Sequence, residues 1–239
     1  MPLRICILET DNLRPQLADQ YKSYGHMFQQ LFSQQPIEAE FEVYNVVAGD
    51  YPPEDRRYDA YLITGSKADS FGTDPWILTL REYVLGLYQR GEKLLGVCFG
   101  HQLLALLLGG YTERAQKGWG IGVHRYQVTE KPQWMSPASD TLDMLIYHQD
   151  QVTRLPENAT LIATSEFCPN AAYHIGDQVL CFQGHPEFIH DYTRDLLNLR
   201  RESYEPAVYE QAVQSLAQEQ QGRAVAEWMM RFVAQGKAA

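Results

Sequence analysis

The sequence predicts an α/β protein, a mostly parallel central sheet flanked by helices with a helical extension at its carboxyl end, and three observations carry that expectation. Apolar runs of strand length alternate with helix-length amphipathic stretches through the first half of the chain. After about residue 120 the connections shorten, which suggests strands added antiparallel to the sheet. From Phe188 to Gln235 nearly everything reads as helix.

The first strand is expected over residues 3–8 and the second over 41–47, with an amphipathic helix over 15–33 between them. Strands over 60–64 and 94–97 follow, separated by a second amphipathic helix over 76–90. Alternation of this kind gives parallel strands with helices on both faces, and ligands of such sheets bind at the strand carboxyl ends. A leucine-rich helix over 102–108, stopped by Gly109-Gly110, comes directly after the fourth strand. Short strands are expected over 123–128, 143–147, 160–164, 171–174 and 179–182. The extension breaks at 203–206 and again near Gly222. Its Arg194, Arg200 and Arg201 are expected on a solvated helical face among many acids, with a partner surface as the less favoured reading. Trp228, Met229 and Phe232 on the last helix are expected to pack against the rest, or else to serve a homodimer. Residues 1–239 are read as one domain, a core of about 3–190 and an extension of 191–239.

Chemistry concentrates at Gly96-Val97-Cys98-Phe99-Gly100-His101-Gln102. Cys98 falls on the turn between a buried strand and a helix, so its side chain projects from the carboxyl end of the sheet. The helix amino terminus beneath it favours a thiolate. Gly96 and Gly100 are expected to let the backbone make the turn. Alone, this cysteine reads equally well as a small buried packing residue. Gln183-Gly184-His185-Pro186-Glu187, at the end of another apolar run, adds a base and a carboxylate. In an extended segment His185 and Glu187 share one face, and Pro186 keeps them out of a helix. A cysteine nucleophile needs an imidazole to take its proton, and the imidazole needs a carboxylate to orient it and steady its charge.

With these residues in place the chain resembles the class I glutamine amidotransferases, whose Gly-x-Cys-x-Gly-His-Gln and His-Pro-Glu elements it matches. The resemblance spans roughly residues 3–190. It implies a flavodoxin-like fold and hydrolysis of a γ-glutamyl amide through a cysteine thioester, releasing ammonia or an amine. In that reading Cys98 is the nucleophile, His185 the base, Glu187 the orienting carboxylate, and Gln102 a substrate-holding residue. Tyr147-His148-Gln149-Asp150 looks like the family segment, usually Ser-His-Gly-Asp, that meets the amino-acid end of the substrate, which makes Gln149 and Asp150 candidates there. Ile63-Thr64-Gly65-Ser66 stands where the family completes its oxyanion hole, with Gly65 and the Phe99 N–H as donors. Donors of this kind sit about 3 Å from the developing oxyanion and are worth ~3 kcal/mol each. The loop departs from the Gly-Gly-Pro-Gly of synthetase-linked members. It is more similar to stand-alone, GMP-synthase-like members, a group that includes γ-glutamyl peptidases.

Composition sets outer bounds. The 239 residues are 45% hydrophobic, enough for one full core, and leave no room for a fused synthetase domain, so an acceptor enzyme is expected on a separate chain. Thirty acids against 20 basic residues give a net charge of −10, which argues against nucleic-acid or anionic-membrane partners. Cys6, Cys98, Cys168 and Cys181 contain no Cys-x-x-Cys, and Cys98 alone has a catalytic setting. The histidines at 26, 124, 174 and 190 have no ligand spacing, so no metal is expected, and the hydrolysis that the resemblance implies needs no cofactor. His101 is expected to be structural. Trp119 and Trp134 fall in loop-like stretches and are candidates for shaping an acceptor pocket. No run approaches the ~18 apolar residues of a membrane span, and the protein is expected to be soluble and cytoplasmic. Two other readings stand beside the enzyme: a non-catalytic sensor of the same superfamily, and a regulatory subunit active only with a synthetase docked.

Overall fold

The protein is represented by a computed structural model that describes residues 1–236. Its strands are β1 Leu3–Glu9, β2 Ala39–Asn45, β3 Ala60–Ile63, β4 Leu94–Val97, β5 Tyr111–Arg114, β6 Gly120–Val128, β7 Thr141–His148, β8 Asp150–Arg154, β9 Thr160–Thr164, β10 Ala172–Ile175 and β11 Val179–Phe182. Its helices are α1 Pro15–Tyr21, α2 Tyr24–Phe32, α3 Pro75–Gln89, α4 Phe99–Leu107, α5 His190–Leu199, α6 Pro206–Ser215 and α7 Gly222–Ala234. Nine strands form one sheet in the order β2-β1-β3-β4-β11-β10-β9-β6-β7. The run β2-β1-β3-β4-β11 is parallel, and β10, β9, β6 and β7 extend it antiparallel, where short connections suffice.

Strand β1 shows why the centre of the sheet reads as continuous apolar sequence. Its Ile5 and Ile7 face a layer containing Phe28 and Phe32 of α2 and Trp228 and Phe232 of α7. Cys6 and Leu8 face the opposite layer, with Ile77 and Val84 of α3 and Leu104 of α4. Period-two alternation between two covered faces leaves no polar side to the strand. A third apolar cluster joins α1, α5 and α6 to the antiparallel edge through Leu17, Leu196, Ala212 and Leu145. Trp228, Met229 and Phe232 are fully buried, so the packing reading of the last helix holds.

Several expected elements change on folding. The single helix over 15–33 is two helices, because Lys22 adopts a left-handed φ of 65° and Ser23 turns extended to cap α2, accepting the His26 N–H at 3.2 Å. The second strand begins at Ala39 and stops at Asn45, whose side chain accepts the Ala48 N–H at 3.1 Å and starts a 3-10 turn, Val46–Ala48. A separate two-stranded antiparallel sheet, β5 with β8, was not anticipated from the sequence. Among the described residues no helix is long and apolar enough to cross a membrane.

The extension is fastened to the edge strand β7 and to the loop that follows β11. The Gln221 N–H donates to the Asp143 carbonyl at 2.7 Å, and its Oε1 accepts the Asp143 N–H at 2.8 Å. Gly222, the first residue of α7, lies so close to the backbone of Pro186 that a Cβ would stand 2.3 Å from that carbonyl oxygen. Gly222→Ala is therefore expected to cost roughly 1–3 kcal/mol of stability, read as a lowered Tm. An unchanged Tm would mean that the His185–Glu187 loop yields without resistance.

Candidate active site

Cys98 is the hinge between β4 and α4, and it alone carries the strain of the turn, with φ 52° and ψ −99°. A non-glycine residue in that region persists only where its surroundings hold it. Here the Cys98 N–H donates to Phe182 of β11 at 2.9 Å and its carbonyl accepts the Gln102 N–H at 3.0 Å. Gly96 and Gly100, expected to supply the turn, serve close approach instead. A Cβ on Gly100 would lie 2.3 Å from the Ile63 carbonyl, and one on Gly96 would lie 2.7 Å from the Gly100 backbone. Helix α4 can thus begin directly on the strand ends. Phe99 is its first residue, so its N–H is among the donors an α-helix leaves without an internal partner, at the positive end of the dipole.

His185 and Glu187 follow β11, the neighbour of β4, and both are about 3% exposed. His185 Nδ1 lies 2.8 Å from Glu187 Oε1, which makes Nδ1–H the donor to a carboxylate and leaves Nε2 as the working nitrogen. Nε2 is buried without a hydrogen-bond partner. The ring stacks on Phe188, centroids 3.9 Å apart at 14°. Burial by itself pushes His185 down, but the Glu187 charge and then the adjacent Cys98 sulfur outweigh it and raise His185 to about 10. The ring stands beside the sulfur with its affinity for a proton raised, the placing that an acid–base partner of a cysteine requires.

Gly65 closes the third side. A Cβ there would stand 2.7 Å from His185 Cε1 and 3.5 Å from Cys98 Cβ, so only glycine lets this loop touch both residues. The loop is tied down from the end of β1. Thr10 Oγ1 donates to the Gly65 carbonyl at 3.0 Å, and buried Asp11 accepts the Lys67 N–H at 2.9 Å and its ammonium at 2.7 Å. Sequence inspection missed Thr10 and Asp11, although both directly follow the first strand, on the side where such sheets bind ligands.

Gln102 is buried, and its Nε2 donates to the Asp150 carbonyl at 2.8 Å and to Gln183 Oε1 at 3.2 Å. It braces the wall against which Asp150 and Gln149 stand. Arg114 of β5, unforeseen from the sequence, organises that wall. It pairs with the Asp150 carboxylate, with Asp69 at 2.8 Å and with Gln149 Oε1 at 3.0 Å. Burial raises the Asp150 carboxyl and Arg114 pulls it back, with Asp69 adding to the rise. His101 is fully buried and pushed down to about 3 by burial, which leaves it neutral inside α4. Of the two candidate tryptophans, Trp119 reaches the cleft, whereas Trp134 packs edge-on against Phe232 in the core.

Two open lobes meet over Cys98. The first, about 380 Å³, is bounded by His185 and Gly65 and walled by Tyr24, Phe188, Tyr192 and Leu196. The second, about 370 Å³, is bounded by Gln102, Asp150, Gln149, Arg114 and Asp69. Cys98, Ser66, Lys67, Tyr147, Arg14 and Arg200 belong to both. Arg200 is thus a cleft residue, a correction to its expected place on a solvated helical face. The expectation failed because Arg200 follows the last turn of α5, where the chain turns back toward β7. The arrangement can hold a planar acyl group over the sulfur, with an amino-acid end in the polar lobe and a second substituent in the aromatic one.

The chain is similar to several known proteins. The family model described as glutamine amidotransferase class-I matches residues 17–199. γ-Glutamyl peptidase 3 of Arabidopsis thaliana is 37% identical over 178 residues, covering 70% of this chain and 71% of the relative. γ-Glutamyl peptidase 4 of the same plant is 34% identical over 185 residues, covering 74% and 73%. A glutamine amidotransferase structure from Thermotoga maritima shares the fold, with a TM-score of 0.78 at 18% identity over 98% of this chain and 99% of that one.

The buried ion pair sets a pH dependence. The raised His185 contributes stability fully below its unfolded pKa of about 6.5, and that contribution is lost as pH rises through about 10. Wild type should lose Tm between these two pH values, and Glu187→Gln should lose several degrees less over the same window. Parallel Tm profiles for the two proteins would show that Glu187 does not hold the charge on His185.

Proposed function

This chain belongs to the class I glutamine amidotransferase family, and from that premise we propose that Cys98, His185 and Glu187 cleave a γ-glutamyl amide whose leaving group is an organic amine. The chain is an enzyme of a family whose chemistry is γ-glutamyl hydrolysis; what is proposed is the residue roles and the identity of the amine. The single observation that carries the choice of amine is where His185 sits. A base that receives the sulfur proton must return one to the departing nitrogen, so the leaving group occupies the lobe that His185 bounds. That lobe is about 380 Å³ and walled by aromatic rings. Ammonia would leave most of it to water, whereas an amine carrying an apolar side chain would fill it. The name γ-glutamyl peptidase, borne by the two Arabidopsis relatives, supports the same choice.

The γ-glutamyl group enters with its amino-acid end against Gln102, Gln149 and Asp150, which brings its side-chain carbonyl to the sulfur. Cys98 Sγ attacks that carbon, and the carbonyl π pair moves onto oxygen. The oxyanion points toward the Phe99 N–H and the Gly65 loop, where preorganised backbone donors cost no rearrangement. Collapse breaks the C–N bond, the nitrogen takes the His185 Nε2 proton, and the amine leaves. Water then attacks the thioester, giving its proton to His185 and its oxygen to glutamate, and the sulfur departs. Glu187 keeps Nδ1 protonated throughout, so that Nε2 is the atom that cycles.

Release of free amine from a γ-glutamyl dipeptide with an apolar second residue is expected to exceed ammonia release from glutamine at equal concentration. Cys98→Ala should remove at least about 10³-fold of kcat, and His185→Ala nearly as much. Glutamate and amine assays on purified protein decide this. Cys98-dependent ammonia release that outpaces amine release would reverse the assignment of the leaving group, and turnover surviving in Cys98→Ala would end the mechanism.

A further inference from the structure

We infer that Arg200, together with Arg14, forms a carboxylate-binding site that reads the free carboxyl terminus of the departing amine, so that the preferred substrate is a γ-glutamyl amino acid or peptide with an anionic end. The inference rests on the proposed cleavage and specifies its substrate. Arg200 is half-buried and held in place by neutral groups. Its guanidinium donates to the Tyr147 hydroxyl at 2.8 Å, lies 5.0 Å from the Trp119 ring centroid and 5.9 Å from that of Tyr147. Tyr147 is in turn bonded to the Tyr204 hydroxyl. Among the described residues neither Arg200 nor Arg14 pairs with a carboxylate, while every other charge on the cleft's rim has a partner: Lys67 with Asp11, and Arg114 with Asp69 and Asp150.

A guanidinium stacked on an indole, fixed by one phenol and left without a counter-ion, keeps donors free for a planar bidentate acceptor. A positive charge withdrawn from bulk water without an anion is costly unless something supplies one. Both arginines border both lobes, but the residues on either side of Arg14 (Asn12, Leu13 and Pro15) and Leu196 of the helix that precedes Arg200 line only the lobe that His185 bounds, so the anion the arginines await travels with the leaving group. The carboxylate that lines that lobe, Asp11, does not compete, because Lys67 occupies it. On a γ-glutamyl amide there are two sources of carboxylate, the glutamyl α-carboxylate and the carboxyl end of the amine. The glutamyl end belongs in the polar lobe, where Arg114 keeps two of its five N–H donors beyond those given to Asp150, Gln149 and Asp69, which leaves the second carboxylate for Arg200 and Arg14.

The test compares γ-glutamyl-leucine with γ-glutamyl-leucinamide, which differ only in that terminal charge, and adds a third substrate in which the glutamyl α-carboxylate is the amide instead. Wild type is expected to prefer the free acid over leucinamide by about ten- to hundredfold in kcat/KM, the worth of a charge-assisted hydrogen bond. Arg200→Gln should collapse that ratio to within about twofold, Arg14→Gln should reduce it, and Arg200→Lys should restore part of it. Labelling of Cys98 by a γ-glutamyl-mimicking electrophile and an unchanged Tm establish that each variant is folded. Equal, Cys98-dependent cleavage of acid and leucinamide by wild type overturns the carboxylate site and leaves the cleavage reading standing. A ratio that survives in Arg200→Gln, or an Arg200 effect that falls on the α-amide substrate instead, overturns it as well. Absence of Cys98-dependent cleavage of every substrate overturns the cleavage reading, and this inference with it.

Discussion

The buried pair of His185 and Glu187 is the interaction on which the arrangement of this protein turns. An imidazolium and a carboxylate withdrawn from water are tolerable only when each has the other at hydrogen-bond distance and the surroundings cannot relax away. Every neighbour enforces that condition. Phe188 stacks on the ring, Gly65 presses against its Cε1, and Gly222 of the last helix stands against the carbonyl of Pro186 between the two charged residues. The His185 N–H donates to Leu145 of the antiparallel edge at 2.8 Å. Helix, oxyanion-side loop and sheet edge therefore converge on one charge pair, and none can move without disturbing it.

This convergence explains the division of labour around Cys98. The parallel strands β1, β3, β4 and β11 end at one rim, and each delivers something there: Thr10 and Asp11 anchor a loop, Gly65 supplies close approach, Cys98 a sulfur, His185 an imidazole. The strand ends are rigid because their side chains are buried in two apolar layers, so groups placed on them stay placed. What lies outside the rim is assembled from less regular parts. The small β5–β8 sheet brings Arg114 and Asp150 to one side, and the turn after α5 brings Arg200 to the other. A constant chemical centre with two separately built lobes is a layout in which substrate preference can change without touching the nucleophile.

Legibility in the sequence followed the range of the interactions. The elbow at Cys98 was readable because strand, turn and helix are contiguous, and the His185–Glu187 pair because two residues of an extended segment face one way. The break at Lys22–Ser23 was hidden, since amphipathic periodicity runs through residues 15–33 and only the capping geometry of Ser23 divides it. The glycines of the elbow were identified correctly as necessary, but for another reason: the strained torsion sits on Cys98, and Gly100 exists to admit the carbonyl of Ile63.

The sequence by itself determined the alternation of strands and helices in the parallel part of the sheet, the position of Cys98 at a strand end, and the family, because these depend on periodicity and on motifs of a few adjacent residues. Only the tertiary structure decided which charges meet. Arg114 reaches Asp69 and Asp150 across 45 and 36 residues of chain, and Arg200 reaches Tyr147 across 53. Such pairings leave no periodic trace, since any surface arginine satisfies the local pattern equally well. The fold alone brings one against an acid and leaves another, stacked on an indole beside the sulfur, without an anion.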